Sequence, residues 1–398
     1  MLQRTKHPST PSDAIATPLE RSAARAGRSG WIAFTGIVAL LAGIAGGLIG
    51  MTFLVPVPQS VGAPPVVGRT RGDNARIGFP AIAPLAAAVV ELFDAQQAAT
   101  LGDRVGRGVT LTSDGWIVTV RGALPPAKRG SVPAAAGRDR VLHAAVRAAF
   151  DPLSDLVFLR TPTLAASVIP LCTDCALAPG TPLFAPTEDG GLTALRLRAR
   201  HVRRGAGILR SSDQWETLLA FDGSARLAPG TPIVNTDGAL VGLVLADDVA
   251  IPVDAIASAL PQLFRGGTVI RNGLGVTYRD RAELVMRGDG SAAAPDGAEI
   301  AVPLRGTAFA AGSPLAGRVE IGTVVRAVGG DPLTARRFLA ELLQEYPLGA
   351  SVSLVMSRPR VGDGAATETI EVPLMQVTGE TMTYAASAEQ PRGSAAGG

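Results

Sequence analysis

Between Ala81 and Phe264 the hydrophobic positions come in short runs, each closed by Gly, Pro or Asp: AAAVVELFDA, GVTLTSDGWIVTV, DLVFLRT, LTALRLRARHV, ETLLAFDG and TPIVNTDGALVGLVLAD. Runs of this length bounded by turn residues predict strands. Two runs carry an Asp-Gly pair between apolar halves, at Ser113–Gly115 and Thr236–Gly238. That is the strongest local hairpin signal, so the sheet is expected to be antiparallel. At 255–267, AIASALPQLFRGG, the apolar spacing becomes helical and ends on glycines, which predicts a helix closing this domain. A second unit runs from Thr268 to about Val377. It reads as strands VIRNGLGVTY, AEIAVPL, TVVRAVGG, ASVSLVMSR and TETIEVPL, a turn AAGSPLAG, and a helix TARRFLAELLQEY with Phe338, Leu339, Leu342 and Leu343 on one face. The pattern predicts a mainly β chain ending in a small α+β module, 268–377, and a low-complexity tail over 378–398.

The N-terminal region follows different rules. Residues 31–54, WIAFTGIVALLAGIAGGLIGMTFL, carry no charge, and about 20 apolar residues cross a bilayer as a helix. Arg21, Arg25 and Arg28 precede the segment, whereas Arg69 and Arg71 are the nearest basic residues after it. The positive-inside rule then puts residues 1–30 in the cytoplasm and the rest outside. A cleaved signal peptide is the rival reading, but its apolar core is shorter, roughly 7 to 15 residues. Gly43, Gly47, Gly46 and Gly50 fit small-xxx-small spacing for helix approach, or simply the abundance of Gly in membrane helices. Residues 55–80, rich in Pro and Gly, read as an extended tether.

Composition sharpens this picture. The 398 residues exceed one ordinary core, so more than one domain is expected. Gly (47) and Pro (30) are abundant and aromatics scarce (4%), which favours turns and short strands over long packed helices. A net charge of +3 with dispersed Arg does not make the basic stripe of a nucleic-acid binder. The two cysteines, Cys172 and Cys175, cannot supply a four-ligand metal site, and no metal or cofactor is indicated. They lack the βαβ context of a redox motif, so a loop-clipping disulfide formed outside the cytoplasm is expected.

The order of motifs resembles the HtrA/DegP-like serine proteases over roughly residues 85–377. GRGVTLTSDGWIVT matches the strand and hairpin that lead to the family's catalytic histidine, and VRGAL then puts Gly122 at that position. DPLSDLVFL matches the aspartate motif and puts Asp155 at the triad carboxylate. LAPGTPIVN matches the serine motif and puts Pro229 at the nucleophile, and no shift restores a serine between Ala225 and Pro232. IPVDAIASALPQL resembles the helix that ends the protease domain, and NGLGV the start of a peptide-binding strand. The resemblance implies a chymotrypsin-like double β-barrel over 81–267 and a PDZ domain over 268–377, in a bacterial cell membrane and exposed outside the cytoplasm. It leaves homo-oligomerisation open.

Serine attack needs a hydroxyl, an imidazole and an orienting carboxylate. Two of the three are absent at the assigned positions. His7, His143 and His201 are the only histidines, and none falls where the resemblance requires one. His143 reads as a half-exposed strand residue. Thr231 and Ser224, the nearest hydroxyls to Pro229, read as turn residues. Pro also lacks the N–H that the nucleophile contributes to an oxyanion hole. Asp155, with no imidazole to orient, is expected to be a buried acceptor bracing its turn. The family's PDZ function implies that Asn272, Gly273, Leu274, Gly275 and Val276 receive a peptide C-terminus by strand addition. The expectation is therefore a pseudoprotease that binds peptides or protein C-termini in envelope protein quality control. An active endopeptidase with a non-standard arrangement and a purely structural envelope protein are the alternatives.

Overall fold

Both Asp-Gly pairs form tight hairpin turns, with Gly115 and Gly238 at φ of 92° and 77°. The first joins β2, Gly106–Thr110, to β3, Trp116–Val120. A Cβ at Gly115 would stand 2.1 Å from the Thr161 carbonyl oxygen, so this turn has room only for glycine. Around the hairpin the chain adds β1, Val89–Asp94, after a six-residue α1, Ala83–Ala88, and then β4, Pro133–Ala136, β5, Leu142–Ala144, β6, Arg147–Phe150, and β7, Leu156–Arg160. These strands form an antiparallel sheet in the order β6-β7-β3-β2-β1-β4-β5. All five residues of β3 are buried, as are Leu156–Leu159 of β7, which accounts for their unbroken apolar runs.

The computed structural model describes residues 83–384 except 99, 127–130, 206, 224–225, 284–295 and 359–365. They belong to one unit, Asn74–Gly398. The sequence-predicted cytoplasmic tail, membrane segment 31–54 and tether lie outside the described residues, as do His7 and Ser224. Among the described residues no helix is long and apolar enough to cross a membrane.

The second barrel is closed. Its strands β8, Pro182–Pro186, β9, Leu192–Arg203, β11, Thr217–Asp222, β12, Pro232–Val234, β13, Leu240–Ala246, and β14, Val249–Pro252, pair in the order β11-β14-β13-β12-β8-β9. A short β10, Leu209–Ser211, leaves this barrel between β9 and β11. Helix α2, Val253–Gly266, follows and ends on Gly267 in the left-handed conformation, φ 64°. It buries Val253, Ala255, Ile256, Ala259 and Leu263, and all but Val253 join the core shared with the first sheet.

The C-terminal unit holds β15, Ile270–Gly273, β16, Thr277–Asp280, β17, Ala298–Ile300, β18, Val324–Val328, β19, Asp331–Pro332, α3, Leu339–Leu343, β20, Ser351–Ser357, β21, Thr367–Pro373, β22, Met375–Thr378, and β23, Thr381–Thr383. Its main sheet runs β10-β16-β17-β18-β20-β21, so the barrel's β10 is its edge strand. β15 pairs with β22.

Three expectations need correction. The predicted helix TARRFLAELLQEY is helical only over Leu339–Leu343. Thr334 Oγ1 accepts the N–H groups of Arg336 and Arg337, giving the backbone a turn in place of a first helical turn. The predicted strand VIRNGLGVTY is two strands broken at Leu274–Val276, where Gly275 turns left-handed at φ 62°. The tail begins later than residue 378: β23 pairs with β6, and Met382 and Tyr384 pack on the first core.

Candidate functional site

The loop that ends at β12 lies across the first sheet. The N–H of Arg107 donates to the Pro229 carbonyl at 3.1 Å. A Cβ on Gly122 would stand 3.9 Å from the Pro229 Cβ. Asp155 completes the cluster, because its carbonyl accepts the Arg121 N–H at 2.7 Å. Gly122, Asp155 and Pro229, far apart in the chain, are thus brought together.

What they present is not a proton relay. Gly122 and Pro229 offer no titratable atom, and Pro229 has no N–H. The adjoining donors are committed, Gly230 N–H to the Val244 carbonyl at 2.8 Å and Thr231 N–H to Ala228 at 3.1 Å. Thr231 is fully buried, and its hydroxyl has no hydrogen-bond partner. It is therefore an unactivated hydroxyl. The expectation for Asp155 is corrected: its side chain is 31% exposed and ion-paired with Arg204, which follows β9. The residue that braces the turn is Asp151. Its carboxylate accepts from the Leu153 N–H at 3.1 Å and the Ser154 hydroxyl at 2.8 Å. It also takes a bidentate pair from Arg271 at 3.1 and 2.5 Å.

His143 lies on β5, half-buried. One ring nitrogen is 2.9 Å from Thr163 Oγ1, and the other 3.3 Å from Asp139 Oδ2. Sequence reasoning found no nucleophile beside this histidine, because Thr163 follows β7 and approaches through the fold. The Val141 N–H and the imidazole hold the Asp139 carboxyl below the usual carboxylate range. His201, on β9, is held below the ordinary imidazole value, chiefly by burial and then by Arg200 and Arg336.

The five residues assigned to peptide binding divide. Asn272 is buried and structural: its amide donates to the carbonyls of Leu343 and Tyr346 at 3.0 and 2.9 Å, and its Oδ1 accepts from Gly349 N–H at 3.0 Å. Gly273 pairs with Met375 in the β15–β22 ladder. The side chains of Leu274 and Val276 sit in the unit's core. The backbone donors are also occupied. Leu274 and Gly275 N–H both reach Asp213 Oδ1 at 3.1 Å, and Val276 N–H reaches the Ser212 hydroxyl at 3.0 Å. Close by, Glu341 Oε1 accepts the N–H groups of Glu216 and Thr217 at 2.9 and 2.8 Å. Burial pushes the Glu341 carboxyl above its ordinary range, opposed by those N–H bonds.

Cys172 and Cys175 are joined by a disulfide, with their Cα atoms 5.4 Å apart. It clips the loop before β8.

Residues 106–243 match the family model of the trypsin-like peptidase domain. The double barrel has a trypsin-like fold. The fold extends beyond it. The HtrA-type protease AlgW with a tripeptide superposes at a TM-score of 0.54 and 19% identity, covering 75% of this chain and 96% of AlgW. AlgW with a decapeptide gives 0.51 and 18%, covering 77% and 98%. A serine endoprotease from Yersinia pestis gives 0.48 and 20%, covering 75% and 96%. At these identities the likeness to AlgW is one of fold. No curated protein sequence matches the chain. The trypsin-like domain therefore keeps the architecture, while its own residues decide the chemistry.

Proposed function

We propose that this chain is a membrane-anchored, extracytoplasmic, HtrA-like pseudoprotease. In this reading the C-terminal unit is a PDZ domain that binds peptides or protein C-termini, in envelope protein quality control or scaffolding. The observation that carries it is the adjacency of Gly122 and Pro229, where a Cβ on Gly122 would stand 3.9 Å from the Pro229 Cβ and where the base and nucleophile of a working site would meet. Triad chemistry needs a proton to pass from hydroxyl to imidazole, and neither group is present there. Arg204 gives Asp155 a cationic partner in place of an imidazole. The peptide-bound AlgW structures support the binding half, since they share this fold. The uncharged 31–54 segment with its Arg-rich flank supports the anchor.

One observation favours a second reading, an active endopeptidase with a non-standard arrangement. Thr163, His143 and Asp139 stand in hydroxyl–imidazole–carboxylate order. Thr163 and Asp139 are both exposed, however, and solvent weakens the hydrogen bonds that such a relay depends on. The trio also includes none of Gly122, Asp155 and Pro229.

Two measurements test the proposal. A fluorophosphonate probe is expected to leave the full-length protein unlabelled, and labelling abolished by Thr163→Ala would favour the second reading. Reporters fused after residue 30 should read cytoplasmic and those after residue 70 external; the opposite pattern would remove the envelope assignment.

A further inference from the structure

The donors of Leu274, Gly275 and Val276 face a segment of the chain itself. β10 runs antiparallel to β16 in the register Leu209↔Arg279, Arg210↔Tyr278 and Ser211↔Thr277. Ser212 N–H then donates to the Val276 carbonyl at 2.9 Å. The segment next places the Asp213 carboxylate on two consecutive backbone N–H groups. A peptide captured by strand addition with its terminal carboxylate in a backbone nest would make these same kinds of contact. A carboxylate on backbone N–H groups forms charge-assisted bonds, roughly twice as strong as neutral ones.

From this arrangement we infer that residues 209–213 are an internal ligand that closes the peptide groove, and that an external peptide with a free C-terminal carboxylate binds by displacing them. The inference rests on the peptide-binding reading above and adds its regulation. Space enforces the competition. A Cβ on Gly273 would stand 2.5 Å from Asp213 Oδ1, so the carboxylate already fills the position beside the nest. The edge of β16 is likewise taken by β10, and one strand edge accepts one partner.

The internal ligand is also connected to the trypsin-like domain's degenerate site. Arg204, five residues before β10, is the partner of Asp155. On the other side, Glu341 of α3 holds the N–H groups of Glu216 and Thr217 where β11 begins. A polar cleft of about 410 Å³ is lined by Asp155 and Arg204 together with Ser211, Asp213 and Gln214.

The test uses the full-length protein and, as probe, a pool of random hexapeptides with free C-termini, beside the same pool C-terminally amidated. Asp213→Ala removes the internal carboxylate at a half-buried position. Asp213→Asn is the second variant, since it removes the charge while keeping the size of the side chain. Hydrogen exchange at Leu274 and Gly275 reports whether the nest has been freed, and thermal melting reports whether each variant is folded. The inference expects faster exchange at both amides and at least tenfold tighter capture of the free-carboxylate pool than by wild type, about 1.4 kcal/mol. The amidated pool should show no such gain. Equal capture by wild type and both folded variants would overturn the internal ligand while leaving the peptide-binding reading intact. Freed amides with no capture by any form would overturn the peptide-binding reading, and the competition with it. Unchanged exchange in Asp213→Ala would show that the carboxylate does not hold the nest.

Discussion

Arg271→Met should lower the stability of the folded chain by about 3–5 kcal/mol, because it strands a buried carboxylate. The side chains of Arg271 and Asp151 are 2% and 0% exposed. Arg271 also donates to Ser258 Oγ at 2.8 Å and the Ala255 carbonyl at 2.9 Å, and its guanidinium lies 5.8 Å from the Trp215 ring centroid. One cation thus joins the turn before β7, helix α2, the segment before β11 and strand β15. Removing it leaves the buried Asp151 carboxylate with only the Leu153 and Ser154 donors. Asp151→Asn added to Arg271→Met should recover at least half of the loss, since the double variant buries no net charge and Asn can still accept from Leu153. Chemical denaturation of the three proteins checks this. A loss below about 1 kcal/mol for Arg271→Met would place the pair among those that surface exchange makes cheap.

Gly230→Ala is the second large effect. Gly230 has φ 78°, and a Cβ there would stand 2.0 Å from the Arg107 carbonyl oxygen and 2.5 Å from Thr119 Oγ1. Both neighbours belong to the first sheet, and Arg107 is itself fixed: its side chain pairs with Glu91 and donates to the Pro186 carbonyl at 2.8 Å. The loop cannot move away without losing the Arg107 N–H bond to Pro229. A conformational cost of about 1 kcal/mol is then joined by an overpacking cost of about 1–3 kcal/mol. Gly180→Ala provides the control, since it shares a positive φ of 89° and meets nothing within 4 Å. It should cost only the conformational part. Equal losses in thermal melting at the two sites would show that the loop does not press on the first sheet as described.

What the sequence revealed and what it hid divide along the range of the interactions. The hairpins at Gly115 and Gly238 and the helix stop at Gly267 were legible, because each depends on two or three adjacent residues. So was the adjacency of Gly122 and Pro229, through the order of motifs. The short α3 was not, because the turn at Thr334 competes with a helix that the apolar spacing alone favours. The bracing role expected of Asp155 falls to Asp151, which is held by Arg271, 120 residues away in the chain. The occupant of the nest was hidden for the same reason: LRSSD carries no periodicity of its own, and Asp213 meets Gly275 across 62 positions. Thr163 beside His143 is a further long-range meeting, 20 residues apart and brought together by the strands between them.

Casein hydrolysis by the full-length protein tests the loss of peptidase chemistry most directly, measured with Thr163→Ala and His143→Ala prepared in parallel. Neither variant touches Gly122, Asp155 or Pro229, so together they examine the one hydroxyl–imidazole contact found among the described residues. No turnover above buffer is expected for all three proteins, because among the described residues no activated nucleophile faces the loop at Pro229. Turnover by the wild-type protein that disappears in both variants would contradict that expectation and assign the chemistry to the Thr163–His143–Asp139 line.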